Sequence, residues 1–154
     1  MQTADWPAVL GTVATIFSVA IAGYALWRQL AVLRSQMVIQ HFSDYARRYA
    51  EIMERFPERV HEQQCSLNDL GDTAAVMPIM RTFFYLCFEE WALHQRGYYD
   101  PKMWSLWHLG MHNALAKPAF RQAWERIASD TQFGARFIHF MAEEIAAATK
   151  PQTV

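Results

Sequence analysis

No lysine or arginine stands before Arg28, and the whole chain holds only two cysteines, six glycines and six prolines among 154 residues. A cleavable signal peptide needs a basic stretch ahead of a short apolar run and a small-residue cleavage site. Here only Asp5 precedes the apolar run. Two cysteines are too few for a disulfide-stapled scaffold or a cysteine-based zinc cluster. Nothing matches a glycine-rich phosphate loop or a Ser or Cys catalytic triad, so catalysis has no positive support. The chain is expected to be no enzyme and to need no cofactor. Strand-like alternation, low-complexity tracts and internal repeats are missing too. Charge is sparse, at 19% of residues. Beyond residue 27, fourteen basic side chains meet fourteen acidic ones, which leaves no basic footprint for a nucleic-acid duplex.

What the chain has in excess is apolar surface, at 53% of residues, and part of it lies in one stretch. From Trp6 to Trp27, WPAVLGTVATIFSVAIAGYALW runs 22 residues without a charge. At 1.5 Å per residue that helix is about 33 Å long, enough to cross a hydrocarbon core of roughly 30 Å. Trp6, Tyr24 and Trp27 sit where interfacial aromatic anchors belong. A buried core helix is the competing reading, and the aromatic ends favour a span in contact with lipid. All fourteen basic residues follow it, beginning with Arg28, Arg34, Arg47 and Arg48. The positive-inside rule then places the N-terminus outside and the C-terminal domain in the cytoplasm. The expected location is a bacterial inner membrane, crossed once. In that reducing compartment Cys65 and Cys87 are free thiols, and Cys87, between Leu86 and Phe88, reads as a small buried hydrophobe.

The helical pattern continues past the membrane surface. No glycine or proline occurs from Arg28 to Phe56, and Phe42, Tyr45, Tyr49, Ile52 and Phe56 recur at spacings of three and four. A stalk helix ending before Pro57 is expected. Residues 57–75 are polar and broken by Pro57, Asn68 and Gly71, which predicts a connection with one short helical turn. A second helix is expected from Met77 to Arg96, closed by Gly97. Tyr98 and Tyr99 read as a tight link. Asp100 as N-cap and Pro101 in the first turn start a third helix, to Ala116. Lys117 and Pro118 start a fourth, to Ser129. Asp130 or Thr131 caps a fifth, with Phe133, Phe137, Phe140, Met141 and Ile145 at helical spacing. The expected fold is all-α. Residues 1–27 form a transmembrane anchor, 28–56 a juxtamembrane stalk, 57–148 a cytoplasmic helical bundle and 149–154 a loose tail.

Four groups of residues are candidates for function. Gly11, Thr15, Ser18 and Ala22 recur every three or four residues and line one face of the membrane helix with small side chains. Such faces let helices associate through close contact and hydroxyl hydrogen bonds, although small residues are also common in spans that touch only lipid. In the second helix, Met80, Phe83, Phe84, Cys87 and Trp91 form an apolar stripe that includes His94 and borders Glu90. Glu90 and His94 are four apart and can meet as an acid–base pair. The plainer reading makes Glu90 the partner of a polar group or an arginine in the bundle, His94 or Arg121 being the expected ones, with His94 capping the helix end. His108 and His112, one turn apart, are weak metal candidates: the zinc-protease glutamate is missing and no third ligand stands nearby in sequence. Finally, eleven of the 22 aromatic residues fall between Phe83 and Trp124. Trp104 and Trp124 with Arg81 or Arg121 could line a pocket for a flat, anionic small molecule, or the aromatics could simply be core.

The layout resembles a group of uncharacterised bacterial membrane-anchored proteins, the domain-of-unknown-function 4760 family. The residues that carry the likeness are the junction Leu26-Trp27-Arg28-Gln29-Leu30, the Phe88-Glu89-Glu90 segment before Gly97, Asp100 with Trp104, and Pro118-Ala119-Phe120-Arg121-Gln122-Ala123-Trp124 ahead of a Phe-rich last helix. At the junction Leu30-Ala31-Val32 stands where the commoner form has Asn-Thr. The resemblance implies architecture and supplies no activity. Two functions remain in view: a membrane-anchored interaction module or accessory subunit, self-associating or bound to a partner membrane protein, and a signal-gated effector that binds a small ligand such as a nucleotide.

Overall fold

The computed structural model describes residues 6–99 and 101–150, apart from the side chains at 6–9, 34, 35 and 38. The expected N-cap Asp100, the side chains of Trp6 and Arg34, and the tail beyond Lys150 lie outside the described residues. Among the described residues five α-helices occur in order: α1 Trp6–Glu54, α2 Thr73–Gln95, α3 Pro101–Leu115, α4 Pro118–Asp130 and α5 Ala135–Ala148. Two short 3-10 helices, Glu58–His61 and Leu67–Leu70, lie between α1 and α2. Among the described residues there is no strand, and the protein is all-α. The chain divides into two units, Met1–Tyr45 and Ala46–Val154.

In the first unit, α1 carries one segment long and apolar enough to cross a membrane, Leu10–Leu33, 24 residues with none of it buried. At 1.5 Å per residue it is about 36 Å long. Tyr24 and Trp27 lie near its end with ring centroids 6.2 Å apart. The small-residue face is present, and a Cβ built on Gly11 would meet open space. Its hydroxyls, however, are spent within the helix: Thr15 Oγ1 donates to the Gly11 carbonyl and Ser18 Oγ to the Ala14 carbonyl, both at 2.9 Å. Helical Ser and Thr commonly bond back four residues in this way.

The second unit is the bundle. Its boundary falls before residue 56 because the last turns of α1 belong to its core: Ile52 and Phe56 are buried, and the Tyr49 ring lies 6.4 Å from that of Phe83. α2 begins at Thr73, four residues earlier than Met77, because the Asp72 carboxylate accepts from the Ala74 N–H at 2.9 Å and caps the helix. Pro78 therefore lies inside α2, where it has no N–H to give the carbonyl four residues back. At the other end Gly97 adopts φ 74, and the N–H groups of Gly97 and Tyr98 bond the carbonyls of His94 and Leu93 at 2.9 and 3.1 Å. That left-handed cap, at the expected glycine, turns the chain toward α3.

The connection after α1 is more than a polar spacer. Val60, Cys65, Leu67 and Leu70 are all buried. Ser66 and Asp69 form a reciprocal capping box, and its hydrogen bonds hold the Asp69 carboxyl below the usual range. The connection is tied to the start of α4 three times: Ala119 N–H to Cys65 carbonyl at 2.9 Å, Leu67 N–H to Gln122 Oε1 at 2.9 Å, and Lys117 Nζ to Val60 carbonyl at 3.0 Å. Neither Asp130 nor Thr131 caps α5; Gly134 holds that position without a side-chain bond. Asp130 is instead the last residue of α4 and is taken by Arg81.

The core is aromatic. Phe83 and Phe84 of α2, Phe120 of α4 and Phe137 of α5 are all but inaccessible to solvent. Phe83 and Phe120 meet edge to face at 4.9 Å, and Phe84 lies 5.0 Å from Trp124. Such pairs add about 0.5–1.5 kcal/mol each beyond the area they bury. Cys65 and Cys87 are free and buried, and burial pushes the Cys87 thiol well above its ordinary pKa.

Candidate functional site

Most of the bundle's inner surface is hydrocarbon. Glu90 is the exception: at 2% exposure it is the one buried charged side chain among the described residues. The α2 register places it there, one turn beyond Leu86 and Cys87. An unpaired carboxylate in that position would be costly. The Tyr99 hydroxyl, from the turn between α2 and α3, donates to Glu90 Oε2. Burial pushes the Glu90 pKa up to about 7, and the nearby Glu89 adds to the rise, while the Tyr99 hydrogen bond and Arg48 pull against it. Burial, followed by the bond to Glu90, raises the Tyr99 hydroxyl in turn. The expected partners, His94 and Arg121, are not used. The signal for Tyr99 in the sequence is faint, an aromatic with a polar tip just after a helix-ending glycine.

His94 turns to a different neighbour. Its ring stacks on Trp104 of α3 at 4.1 Å and 2°, close to parallel. Its Nδ1 is buried with no hydrogen-bond partner, and burial, with His108 nearby, lowers the His94 pKa. Trp104 stacks in turn toward His108, at 5.7 Å and 20°. His108 Nε2 lies 2.7 Å from Glu144 Oε1 of α5, and His112 Nδ1 lies 3.5 Å from Glu144 Oε2. The second contact is within ion-pair reach but too long for a good hydrogen bond, and that buried carboxylate oxygen has no hydrogen-bond partner. Phe140 of α5 packs along the row, 6.2 Å from Trp104 and 6.3 Å from His108. Three helices thus align imidazole, indole, imidazole and carboxylate.

Glu144 supplies the neighbour that His108 and His112 lack in sequence. The signal available for it is the one that marks Glu90: a carboxylate in register with an apolar stripe, here Phe137, Phe140 and Met141. The two imidazole centroids stand 6.5 Å apart. Among the described residues, no group of three His, Cys, Asp or Glu is arranged to hold a metal ion.

The remaining candidates disperse. Arg81 grips Asp130 with both terminal nitrogens, each at 2.7 Å, and also bonds Thr131. The guanidinium bond, followed by that from Thr131, holds the Asp130 carboxyl down at about 2. Arg121 donates to the Leu115 and Ala116 carbonyls at 2.8 and 2.6 Å, satisfying the open end of α3. Trp124 is 5% exposed and packs on Phe84 and Phe133. Neither arginine therefore faces a ligand alongside Trp104. Compared with family models, curated proteins and solved structures, the chain matches none.

Proposed function

We propose that this chain is a single-pass membrane protein whose helical bundle is a non-catalytic interaction module, either an accessory subunit of a membrane complex or part of its own oligomer. The observation that carries the proposal is Leu10–Leu33, a 24-residue apolar helix with every side chain outward. Leaving apolar surface in water costs about 25 cal/mol per Å², and lipid removes that cost. The absence of any basic residue before Arg28 supports an outside N-terminus and a cytoplasmic bundle. The likeness to the uncharacterised membrane-anchored family rests on sequence motifs and points to the same layout. A non-catalytic role is supported by where the polar side chains go. Arg81, Arg121 and Glu90 hold helices and turns together.

The test combines topology with capture. C-terminal fusions in a bacterial host should be active as cytoplasmic reporters and silent as periplasmic ones. Purification of the full chain in mild detergent should bring either a second copy of itself or a membrane protein in fixed proportion. A soluble protein after cell fractionation, or a periplasmic reporter signal, would overturn the proposal.

A further inference from the structure

From Leu10 to Gln40 every described side chain of α1 is exposed. Lipid can cover the apolar ones as far as Leu33, where the segment of spanning length ends. Beyond it Met37 and Ile39 are 60% and 66% exposed, and a lone helix standing in water is marginal. A second helix would supply the missing cover. Counted from Gly11 in alternating steps of four and three, α1 carries a strict 7-residue repeat for more than four heptads, to Ser43. Before the first basic residue, Arg28, its members are Gly11, Thr15, Ser18, Ala22 and Ala25, all of them small. After Arg28 they are Gln29, Val32, Gln36, Ile39 and Ser43. None is charged, and every one is exposed. In lipid, helices pair through small residues that let backbones approach; in water, they pair by burying residues such as Val and Ile. This one face changes from the first chemistry to the second at Arg28, where the proposed membrane surface lies.

We propose that α1 between Gly11 and Ser43 is the interface of a parallel homodimer, joined through small residues in lipid and then through Gln29, Val32, Gln36 and Ile39 in water. A strict 7-residue repeat makes the pair a left-handed coiled coil. The inference rests on the membrane reading above and narrows its partner to a second copy of this chain.

The face itself points to a second copy. Two copies inserted in one membrane run parallel and hold equal residues at equal depth. The face therefore meets itself position for position, small against small and Val or Ile against its twin, as a two-fold interface requires. Gln29 and Gln36 then each face their own counterparts. An amide both donates and accepts, so it can bond its twin across the axis. With no charge on the repeat, nothing repels a twin, and nothing selects a different partner of opposite charge. Leu26 and Leu33, each one position past a member of the repeat, are 58% and 52% exposed and widen the apolar strip. A Cβ added at Gly11 meets open space, which leaves room for a second backbone.

Single added cysteines in the full chain, oxidised in bacterial membranes, test this. The native Cys65 and Cys87 are buried, and the unsubstituted chain supplies the background. Gln29→Cys, Val32→Cys, Gln36→Cys and Ile39→Cys should each give at least about fivefold more disulfide-linked dimer than Leu30→Cys or Met37→Cys, whose positions fall outside bridging distance. With Ile39→Cys as the reporter, adding Gln36→Glu sets like charges face to face and should cut the dimer about tenfold. Mixing that chain with a differently tagged one carrying Gln36→Lys and Ile39→Cys should restore dimer, now containing both tags. Crosslinking that is even along the helix, that peaks at Leu30→Cys and Met37→Cys, or that joins this chain only to another protein would overturn the homodimer and leave the membrane reading standing. So would a charge-swapped mixture that forms no mixed dimer. Recovery of the chain in the soluble fraction would overturn the membrane reading and the homodimer with it.

Discussion

Replacing Glu90 by glutamine exchanges a buried carboxyl for an amide of nearly the same shape, whose oxygen can still accept the Tyr99 hydroxyl. In the unfolded chain the carboxyl titrates near 4.5; in the bundle burial pushes it up to about 7. A raised carboxyl makes the folded state most stable below pH 4.5, progressively less stable between 4.5 and 7, and level above that. The difference of about 2.5 units corresponds to roughly 3 kcal/mol in full, of which about 2 kcal/mol develops between pH 5 and pH 8. Glutamine does not titrate, so the substituted protein escapes this decline. The gain in stability of Glu90→Gln over the original should therefore be larger at pH 8 than at pH 5 by roughly 2 kcal/mol. For a bundle of this size that is on the order of 8 °C in melting temperature. Paired urea or thermal melts in the same detergent, followed by far-UV circular dichroism, measure it. A difference between the two proteins that does not change with pH, or that shrinks toward pH 8, would refute the reasoning.

The contact has a converse. Tyr99→Phe removes the donor but leaves the carboxylate buried, so the bundle should lose about 1–3 kcal/mol, with a larger loss at pH 8 than at pH 5, measured by the same melts. Phe120→Ala opens a cavity between Phe83 and Phe56, whose rings lie 4.9 and 5.8 Å away, and should cost about 3–5 kcal/mol in denaturant unfolding. On the Leu10–Leu33 helix, replacing Gly11 and Ser18 together with leucine should weaken oligomers trapped by crosslinking in membranes. Since the Ser18 hydroxyl is already bonded to its own helix, Ser18→Ala alone should change crosslinking little, and a strong effect would refute close packing as the cause.

Local punctuation in the chain was legible, and pairing across it was not. Gly97, Pro57 and Pro118 mark helix ends where the sequence places them, because each acts through its own backbone. The start of α2 is less legible: the helix is expected from Met77, yet Asp72 caps it and it begins at Thr73. Asp130 has every attribute of a cap for the next helix, but an arginine 49 residues away in sequence takes it. The polar appearance of 57–75 conceals Val60, Cys65, Leu67 and Leu70, four apolar residues too irregularly spaced to show a period. In the candidate site, Glu90 stands out by breaking an apolar stripe. Its partner Tyr99 could not be read from spacing, because the choice is made by the left-handed turn at Gly97. Glu144 breaks a stripe in the same way, and its meeting with His108 depends on how α3 and α5 pack.

The three ties between the connection and α4 also set an order of events during synthesis. Cys65, Leu67 and Val60 wait for Ala119, Gln122 and Lys117, partners more than fifty residues further along the chain. Until those residues have left the ribosome, the connection has nothing to close on, and Phe83 lacks the ring of Phe120 that covers it. The apolar segment Leu10–Leu33 has emerged long before then. A nascent chain therefore carries a finished apolar helix and an unfinished, sticky bundle for several seconds, at usual elongation rates of about 5–20 residues per second. Sequences ending before α4 should aggregate or be degraded, because α4 is the piece that closes the bundle.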